Sequence, residues 1–336
     1  MRTIRTSTIR LLLLWAALAP APAAALGPEQ LALIVNTADP YSVEIGAYYA
    51  RRRGIPPANV IFVTLPVERD EISRQDFETA KAEVDARLPA TVQALALAWT
   101  TPFRVDCLSI TTAFAFGFDP AFCAQGCRPT RLSPYFNSPS RAPFSDLALR
   151  PAMLLAGPSV AGGKALIDRG VAADATFPDG TAYLLSTSDR ARNKRAAGYA
   201  LVDAMEPRVR VERLDADELR DRRDVLFYST GLPAVAGLET LRFRPGAIAD
   251  HLTSTGGVLT GRAQMSVLRW LDAGATASYG MVVEPCNFTT KFPQPALAIA
   301  RYTRGKTLLE AYWKSVAMPG QGVFVGEPLA APFRAR

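Results

Sequence analysis

One run in the C-terminal third of the chain constrains the fold more than any other, because it predicts a strand, a glycine turn, a helix and a second strand. Residues 248–252 predict the first strand, and Gly256 and Gly257 end it. From 265 to 271 the apolar residues recur at helical spacing, which gives that segment one buried stripe. The apolar run 277–283 predicts the next strand. This order is typical of a sheet whose strands are joined by helical crossovers.

The same run predicts where a site would lie. In an open α/β sheet, ligands bind in the crevice at the carboxyl ends of the strands. The turn 253–257 and the corner 284–287 each follow a predicted strand. We therefore expect both to face one crevice, and we expect any functional site of the chain to lie there.

The first half of the chain alternates between predicted strands and predicted helices. Short apolar runs at 31–35, 59–64 and 92–99 predict buried parallel strands, and 42–53 and 73–88 predict the helices between them. Such an alternation predicts right-handed crossovers onto a parallel sheet. We therefore predict an α/β, three-layer, Rossmann-like fold with a doubly wound, mostly parallel sheet, in one domain over 26–334.

Residues 105–150 differ in composition from the rest of the chain. Aromatic residues, proline, serine and cysteine crowd this segment, which is too apolar to be disordered. Phe114, Phe116 and Phe118 alternate along the chain, as the residues of a half-buried strand do. We predict an irregular, cysteine-containing insertion at about 105–150 that folds over the sheet edge or the crevice.

The N-terminus predicts a secretory signal peptide over 1–25. Three arginines among the first ten residues precede the apolar run 11–18, which is too short to span a membrane, and the small residues 23–25 form a cleavage site. The processed chain would begin near Leu26 and contain 336 − 25 = 311 residues. We expect an exported protein, periplasmic or extracellular, without a membrane span.

The charge balance argues against a nucleic-acid partner. The formal net charge is +7, and removal of the three signal arginines lowers it to 7 − 3 = +4. This excess is spread among acidic residues, and an exported chain meets little nucleic acid. The sequence predicts no cofactor and no nucleic-acid partner.

The chain has four cysteines, and export implies an oxidising compartment in which disulfides form. Four cysteines allow three pairings. The spacing allows a local bridge between Cys123 and Cys127, in which case Cys107 would pair with Cys286. A metal site at Cys123 and Cys127 and free thiols are the alternatives, but the single histidine disfavours the metal site.

His251 is the only histidine of the chain, so any hydroxyl or thiol chemistry that needs an imidazole base must use it. The candidate nucleophiles nearby in the sequence are Thr253, Ser254 and Cys286. Glu284 is a candidate general base, or it fixes the corner by accepting hydrogen bonds from the glycine turn. We expect His251 to be hydrogen-bonded within the sheet, with a catalytic role as the alternative.

The order of elements over 222–334 resembles that of caspase-like cysteine peptidases, especially gingipain-type and CHAT-type domains. The resemblance rests on the segments 225–231, 251–257, 270–275, 304–311 and 325–328. The opening residues 31–65, with the sequence Tyr-Tyr-Ala-Arg-Arg-Arg-Gly-Ile-Pro, resemble the start of a gingipain-type domain. The whole chain resembles an exported bacterial family of unknown function. The resemblance implies a caspase-like fold.

The resemblance also implies where the catalytic residues of such a peptidase would stand. Thr230 occupies the position of the catalytic histidine, and Thr253 or Ser254 stands near the position of the catalytic cysteine. His251 and Cys286 match neither position. We therefore expect that the catalytic dyad is not retained.

Two functions follow as hypotheses. The first is a catalytically degenerate module that binds a peptide or protein partner in the former substrate crevice, near Trp99, Thr101, Arg104 and Thr230, with Ser254 and Glu284 beside them. The alternative is an atypical peptidase or hydrolase that uses Cys286 or Ser254 with His251.

Overall fold

The computed structural model of the chain describes residues 25–124, 126–205 and 208–335. The signal peptide predicted over 1–25 therefore lies, apart from Ala25, outside the described residues. In the described part, no helix is long and apolar enough to cross a membrane.

A ten-stranded sheet forms the centre of the described structure. The strands are β1 (Leu31–Asn36), β2 (Val60–Val63), β4 (Ala94–Leu97), β7 (Ala152–Leu154), β8 (Thr181–Ser186), β9 (Arg210–Asp215), β10 (Val225–Thr230), β11 (Phe243–His251), β12 (Ala277–Met281) and β13 (Gly322–Gly326). Their order across the sheet is β2-β1-β4-β7-β13-β12-β11-β10-β8-β9. A smaller sheet joins β3 (Glu71–Ile72), β5 (Arg104–Val105) and β6 (Leu108–Ser109).

Most strands of the large sheet run parallel. The set β2-β1-β4-β7 is parallel, and so is the set β12-β11-β10-β8-β9. β13 lies between the two sets, pairs antiparallel with β12 and is bridged to β7 at Val325 and Leu154. The mostly parallel sheet predicted from the sequence is confirmed.

Helices cover both faces of the sheet. They are α1 (Pro40–Arg53), α2 (Arg74–Arg87), α3 (Ile110–Phe116), α4 (Pro143–Leu147), α5 (Val160–Ala173), α6 (Leu201–Ala204), α7 (Leu268–Asp272), α8 (Pro295–Thr303) and α9 (Leu308–Trp313). One buried cluster contains Tyr49 of α1, Ile167 of α5 and Tyr312 of α9. The other contains Phe77 of α2 and Trp270 of α7. The fold thus has three layers, helix on sheet on helix, as predicted.

Capping explains why several helices begin where they do. The Asp39 side chain accepts a hydrogen bond from the Tyr41 amide at the start of α1, so this residue, rather than Ser42, caps the helix. The Ser73 hydroxyl does the same for the Asp76 amide at the start of α2. The helical segment predicted at 295–316 is interrupted, as expected, between α8 and α9.

The strand predicted from Phe114, Phe116 and Phe118 is wrong, because the first two of these residues lie in α3. This helix is buried almost all round and packs against β7 and β13 near the middle of the sheet. An element that is apolar on every side has no polar face, so spacing alone does not separate helix from strand there. The segment 105–150 is therefore irregular only outside α3, α4 and the small sheet.

The helix predicted over 189–205 is also wrong. The chain forms a turn over 189–192, a 3₁₀ helix over Asn193–Gly198 and then the short α6. The Asp189 side chain accepts hydrogen bonds from the amides of Ala191 and Arg192. An aspartate that binds nearby amides in this way stabilises a turn instead of a continuous helix.

All four cysteines are paired, but not as predicted. Cys107 bonds Cys123, with their Cα atoms 5.4 Å apart, and Cys127 bonds Cys286, with 5.0 Å between their Cα atoms. The 3₁₀ turn Pro120–Phe122 ends directly before Cys123, which bonds back to Cys107. Cys127 instead reaches 159 residues along the chain to the corner that follows β12. Because both are bonded to other cysteines, Cys123 and Cys127 form no metal site.

Candidate functional site

Four neighbouring parallel strands have their carboxyl ends on the same side of the sheet, and we call this side, the edge formed by the strand ends, the crest. The strands β8, β10, β11 and β12 end there at Ser186, Thr230, His251 and Met281. The loops 187–192, 231–237 and 252–266 leave the crest. The turn expected at 253–257 is therefore at the carboxyl ends of the strands, where α/β proteins bind ligands.

Thr230 ends β10 and is 1% exposed. Its carbonyl accepts hydrogen bonds from the Leu252 amide (2.9 Å) and from Nη2 of Arg195 (2.9 Å). Its hydroxyl is buried and has no hydrogen-bond partner among the described residues. The residue is thus held by its backbone, while its side chain does not reach the surface.

Gly231 follows Thr230 and brings a second loop against the end of β10. A Cβ at this position would lie 2.0 Å from the carbonyl oxygen of Arg192, so only glycine fits. The Thr187 hydroxyl donates to the Gly231 carbonyl at 2.8 Å. These contacts fix the loop that carries Arg192 beside the ends of β10 and β11.

Thr253 follows β11 and is the centre of a polar network. Nε of Arg192 donates to its Oγ1 at 3.1 Å, and the same hydroxyl donates to Oε1 of Gln264 at 2.7 Å. Gln264 Oε1 also accepts from the Thr255 amide at 2.9 Å, and Asp189 holds Arg192 with 2.8 Å between carboxylate and guanidinium. The hydroxyl proton is therefore directed at an amide oxygen, which is no base.

His251 is 1% exposed, and both of its ring nitrogens are in hydrogen bonds. Nε1 of Trp270 donates to Nδ1 at 2.9 Å, and Nε2 lies 3.1 Å from the carbonyl oxygen of Met265. Because Nδ1 accepts, Nε2 carries the proton and the ring is neutral. Burial lowers the pKa of His251 from 6.5 to about 3. The ring thus links β11 to α7 and to the loop before it.

Beneath the crest lies a buried ion pair that the sequence reasoning missed. Arg195 Nη2 is 2.6 Å from Oδ1 of Asp250, and Nη1 donates to the Pro293 carbonyl at 3.2 Å. The Tyr312 hydroxyl donates to Asp250 Oδ2 at 3.4 Å. Burial raises the pKa of Asp250, although Arg195 acts against that shift. A charged residue in the otherwise apolar run before His251 was the signal in the sequence.

Cys286 and Glu284 lie at the corner after β12. Cys286 is in the disulfide with Cys127, so it has no thiol in this state. Glu284 is exposed, and its Oε1 accepts from the Cys286 amide at 2.8 Å. The interpretation that Glu284 binds the glycine turn is wrong, because the Gly257 amide donates to the Met281 carbonyl at 2.8 Å instead.

The remaining predicted binding residues lie after β4. Trp99 is fully buried, packs against Phe114 and donates from Nε1 to the Pro102 carbonyl at 3.0 Å. Thr101 is half-buried, and Arg104 lies in the small sheet with its guanidinium 2.8 Å from Glu71. A binding partner at the surface would therefore not contact Trp99. Arg104 is accessible, but its guanidinium already forms an ion pair with Glu71.

A shallow groove of about 420 Å³ lies next to the polar network. Its walls come from the loop after β10 and from the segment before α7, and its lining residues are Ala234, Val235, Gly261, Arg262, Ala263, Gln264, Met265, Ser266 and Arg269. Arg262 and Arg269 are exposed, and the lining contains no carboxylate. We call this surface the crest groove.

No protein-family model matches the chain, and no curated protein matches it. Among solved structures, the chain is similar to the Arg-specific cysteine proteinase gingipain R, with a TM-score of 0.50 and 9% sequence identity. The similarity covers 90% of this chain and 78% of that one. The chain has a caspase-like fold. At this identity the likeness shows the fold alone.

On this caspase-like fold, the structure brings together some of the predicted site residues and separates others. Thr230, His251 and Thr253 meet at the ends of two adjacent strands, with Ser254 half-buried directly after them. The side chains of Thr253 and His251 are hydrogen-bonded to Arg192, Gln264 and Trp270, none of which was predicted as a site residue. These three come from loops and a helix that touch β11 only in the folded chain.

Proposed function

We propose that this chain is an exported caspase-like module without a catalytic cysteine–histidine dyad, which recognises a peptide or protein segment at the crest groove. One observation carries the proposal. The two strand ends at which the resemblance expects histidine and cysteine hold Thr230 and Thr253, both 1% exposed. A module with this scaffold and without those groups retains the surface of a peptidase but lacks its nucleophile.

The geometry opposes the alternative hydrolase. A serine or threonine hydroxyl is a weak nucleophile unless an adjacent base takes its proton. His251 has both nitrogens in hydrogen bonds and a pKa of about 3, so it offers no free basic nitrogen to Ser254. Cys286 is oxidised. We therefore place recognition, rather than bond cleavage, at this site.

The crest groove supports the choice of ligand. Gln264 and Met265 line the groove and at the same time bind Thr253 and His251. A ligand in the groove would therefore rest on a wall that is anchored to the strand ends. The exposed guanidinium groups of Arg262 and Arg269 favour a ligand with carboxylates, because arginine pairs bidentately with them. We propose an acidic peptide segment.

The proposed export rests on the N-terminal sequence and on the two disulfides, which persist in oxidising compartments. It places the partner outside the cytoplasm. An acidic, extended segment of an envelope or extracellular protein has the chemistry that fits.

A peptide-binding titration in solution tests the proposal. The oxidised protein is titrated with fluorescent acidic and basic peptides, and fluorescence anisotropy gives the dissociation constant of each. Acidic peptides should bind, and Arg262→Glu should weaken their binding by about tenfold or more, because it replaces attraction with repulsion.

The matched control is Arg51→Glu. Arg51 is also exposed, but it lies two residues from Arg53, which pairs with Glu327 at the edge opposite the crest. This variant should bind the acidic peptides as the unaltered protein does. The proposal fails if no acidic peptide binds at millimolar concentration, or if both variants lose binding equally.

A further inference from the structure

The main-chain nitrogen of Leu26 lies against a buried carboxylate. It is 3.3 Å from Oε2 of Glu310, a residue 284 positions along the chain. Leu26 is 2% exposed, and Glu310 is fully buried. A main-chain nitrogen and a carboxylate so far apart in sequence are in contact only because the start of the described chain packs beside α9.

Glu310 has the environment of a group that binds a cation. Its Oε2 also accepts from the amide and the hydroxyl of Thr307, at 3.0 and 3.1 Å. Its Oε1 lies 3.1 Å from Nζ of Lys306 and makes no other described hydrogen bond. An ionised carboxylate that is removed from water costs several kcal/mol unless opposite charge and hydrogen bonds compensate it. Oε2 has hydrogen bonds, but among the described side chains only Lys306 forms an ion pair with this carboxylate, and Lys314 acts on it electrostatically without pairing.

The bond before Leu26 is the one that the small residues 23–25 predict as a signal cleavage site. Two independent observations, a sequence pattern and a long-range contact, therefore meet at the same peptide bond. Ala25 is 6% exposed, so this bond is inaccessible after folding, and any cleavage must precede burial.

We propose that the bond between Ala25 and Leu26 is a processing site and that the new α-ammonium group of Leu26 is the second cation of Glu310. Hydrolysis adds one water: the carboxylate leaves on Ala25, and the amine stays on Leu26 and takes a proton. The uncharged amide contact then becomes a charge-assisted one, which is shorter and stronger. Processing thereby stabilises the folded chain. This inference uses the proposed export and is independent of the crest groove.

The first test compares two forms of the protein, one that begins at Leu26 and one that retains Ala24 and Ala25. Glu310→Gln should raise the unfolding equilibrium constant about tenfold more in the form that begins at Leu26, because only that form loses an ion pair with the chain start. The substitution alters the contacts of residue 310 with Lys306 and Thr307 in both forms alike, so the comparison removes those effects. Urea unfolding gives the constants.

Glu327→Gln is the matched control, because Glu327 is an equally buried carboxylate whose partner, Arg53, lies elsewhere. It should affect both forms equally. An equal effect of Glu310→Gln on the two forms would overturn the inference.

A second measurement needs no variant. The full chain is exported by a bacterial host, and intact mass with N-terminal peptide analysis should place its first residue at Leu26. An α-amine-selective acylating reagent near neutral pH should label that amine at least tenfold more slowly in the native protein than in urea. Labelling at the rate of a free peptide, or cleavage at another bond, overturns this inference alone. A chain left uncut contradicts the proposed export as well.

Discussion

Buried charges occur at both edges of the sheet, and the two groups differ in how completely they are paired. At the edge opposite the crest, Glu327 accepts hydrogen bonds from Tyr49 (2.7 Å), from Arg53 Nε (3.0 Å) and from the Leu329 amide (3.3 Å). Asp174 pairs with the same arginine and accepts from the Ala331 amide. This cluster ties the segment after β13 to α1 and α5.

At the crest the pairing is incomplete. Arg195 binds Asp250 and two carbonyl groups, but its buried Nε has no hydrogen-bond partner within the described parts of the chain, and neither has the hydroxyl of Thr230. In the cluster of Arg53, Asp174 and Glu327, each charged group has an oppositely charged partner. Such pairing is what a group that only stabilises the fold requires. Incomplete pairing beside open loops is more common at functional edges. The comparison therefore contrasts a fully paired cluster with one in which buried donors have unused hydrogen-bonding capacity.

The largest expected effect is at the stabilising edge. Arg53→Ala leaves Glu327 buried and without its cation, and the free energy of unfolding should fall by about 3–5 kcal/mol. Urea unfolding measures this. Arg52→Ala is the control, since Arg52 is exposed and pairs with Asp168 at the surface, and it should cost less than about 1 kcal/mol. Equal effects of the two variants would show that the buried pair between Arg53 and Glu327 does not stabilise this edge more than a surface pair does.

A smaller effect, at the crest, depends on pH. The pKa of His251 is about 3 in the folded chain, against about 6.5 when unfolded. The unfolded state therefore binds more protons between these values, and stability is fully present above pH 6.5 and falls as pH falls toward 3. Between pH 7 and pH 5 the loss should be about 2 kcal/mol.

Unfolding in urea at pH 7, 6 and 5 measures this dependence. His251 is the only histidine, so His251→Gln should remove most of the slope in that range. An unchanged slope in the variant would mean that His251 does not stay neutral in the folded crest.

The smallest effect concerns the Thr253 hydroxyl. Thr253→Val keeps the shape and removes the hydrogen bonds to Arg192 and Gln264, and it should cost about 1–2 kcal/mol. Thr255→Val is the control. Thr255 joins the network only through its main-chain amide, which the substitution keeps, so the free energy of unfolding should change by less than about 0.5 kcal/mol. The two midpoints in urea should differ accordingly; coincident midpoints would show that the network is not formed.

The sequence predicted those parts of the fold that depend on local pattern. The runs at 31–35 and 277–283 and the helix capped by Ser73 are short-range signals, and the structure has strands or a helix at each. α3 was misread because a helix that is buried on all sides loses its period. The disulfides were mispaired because sequence spacing does not reveal that Cys127 reaches Cys286.

For the candidate site, the sequence predicted only its position at the strand ends. Because ligands bind at the carboxyl ends of strands in α/β sheets, we selected Thr230, His251 and Thr253 as candidates, and these residues do lie together at the crest. The partners Arg192 and Gln264 lie 61 and 11 residues from Thr253, on loops whose positions depend on tertiary packing. No local pattern specifies which loop side chain occupies a hydrogen-bonding position of this kind.

The central claim is that the crest contains no activated nucleophile. The most direct measurement treats the native, oxidised protein with a fluorophosphonate, which labels activated hydroxyls, and with iodoacetamide, which labels thiols, and then determines the intact mass. We expect the unmodified mass with both reagents, because the Thr253 hydroxyl is hydrogen-bonded, no free base lies beside Ser254 and Cys286 is oxidised. A single adduct on Thr253, Ser254 or Cys286 would contradict it.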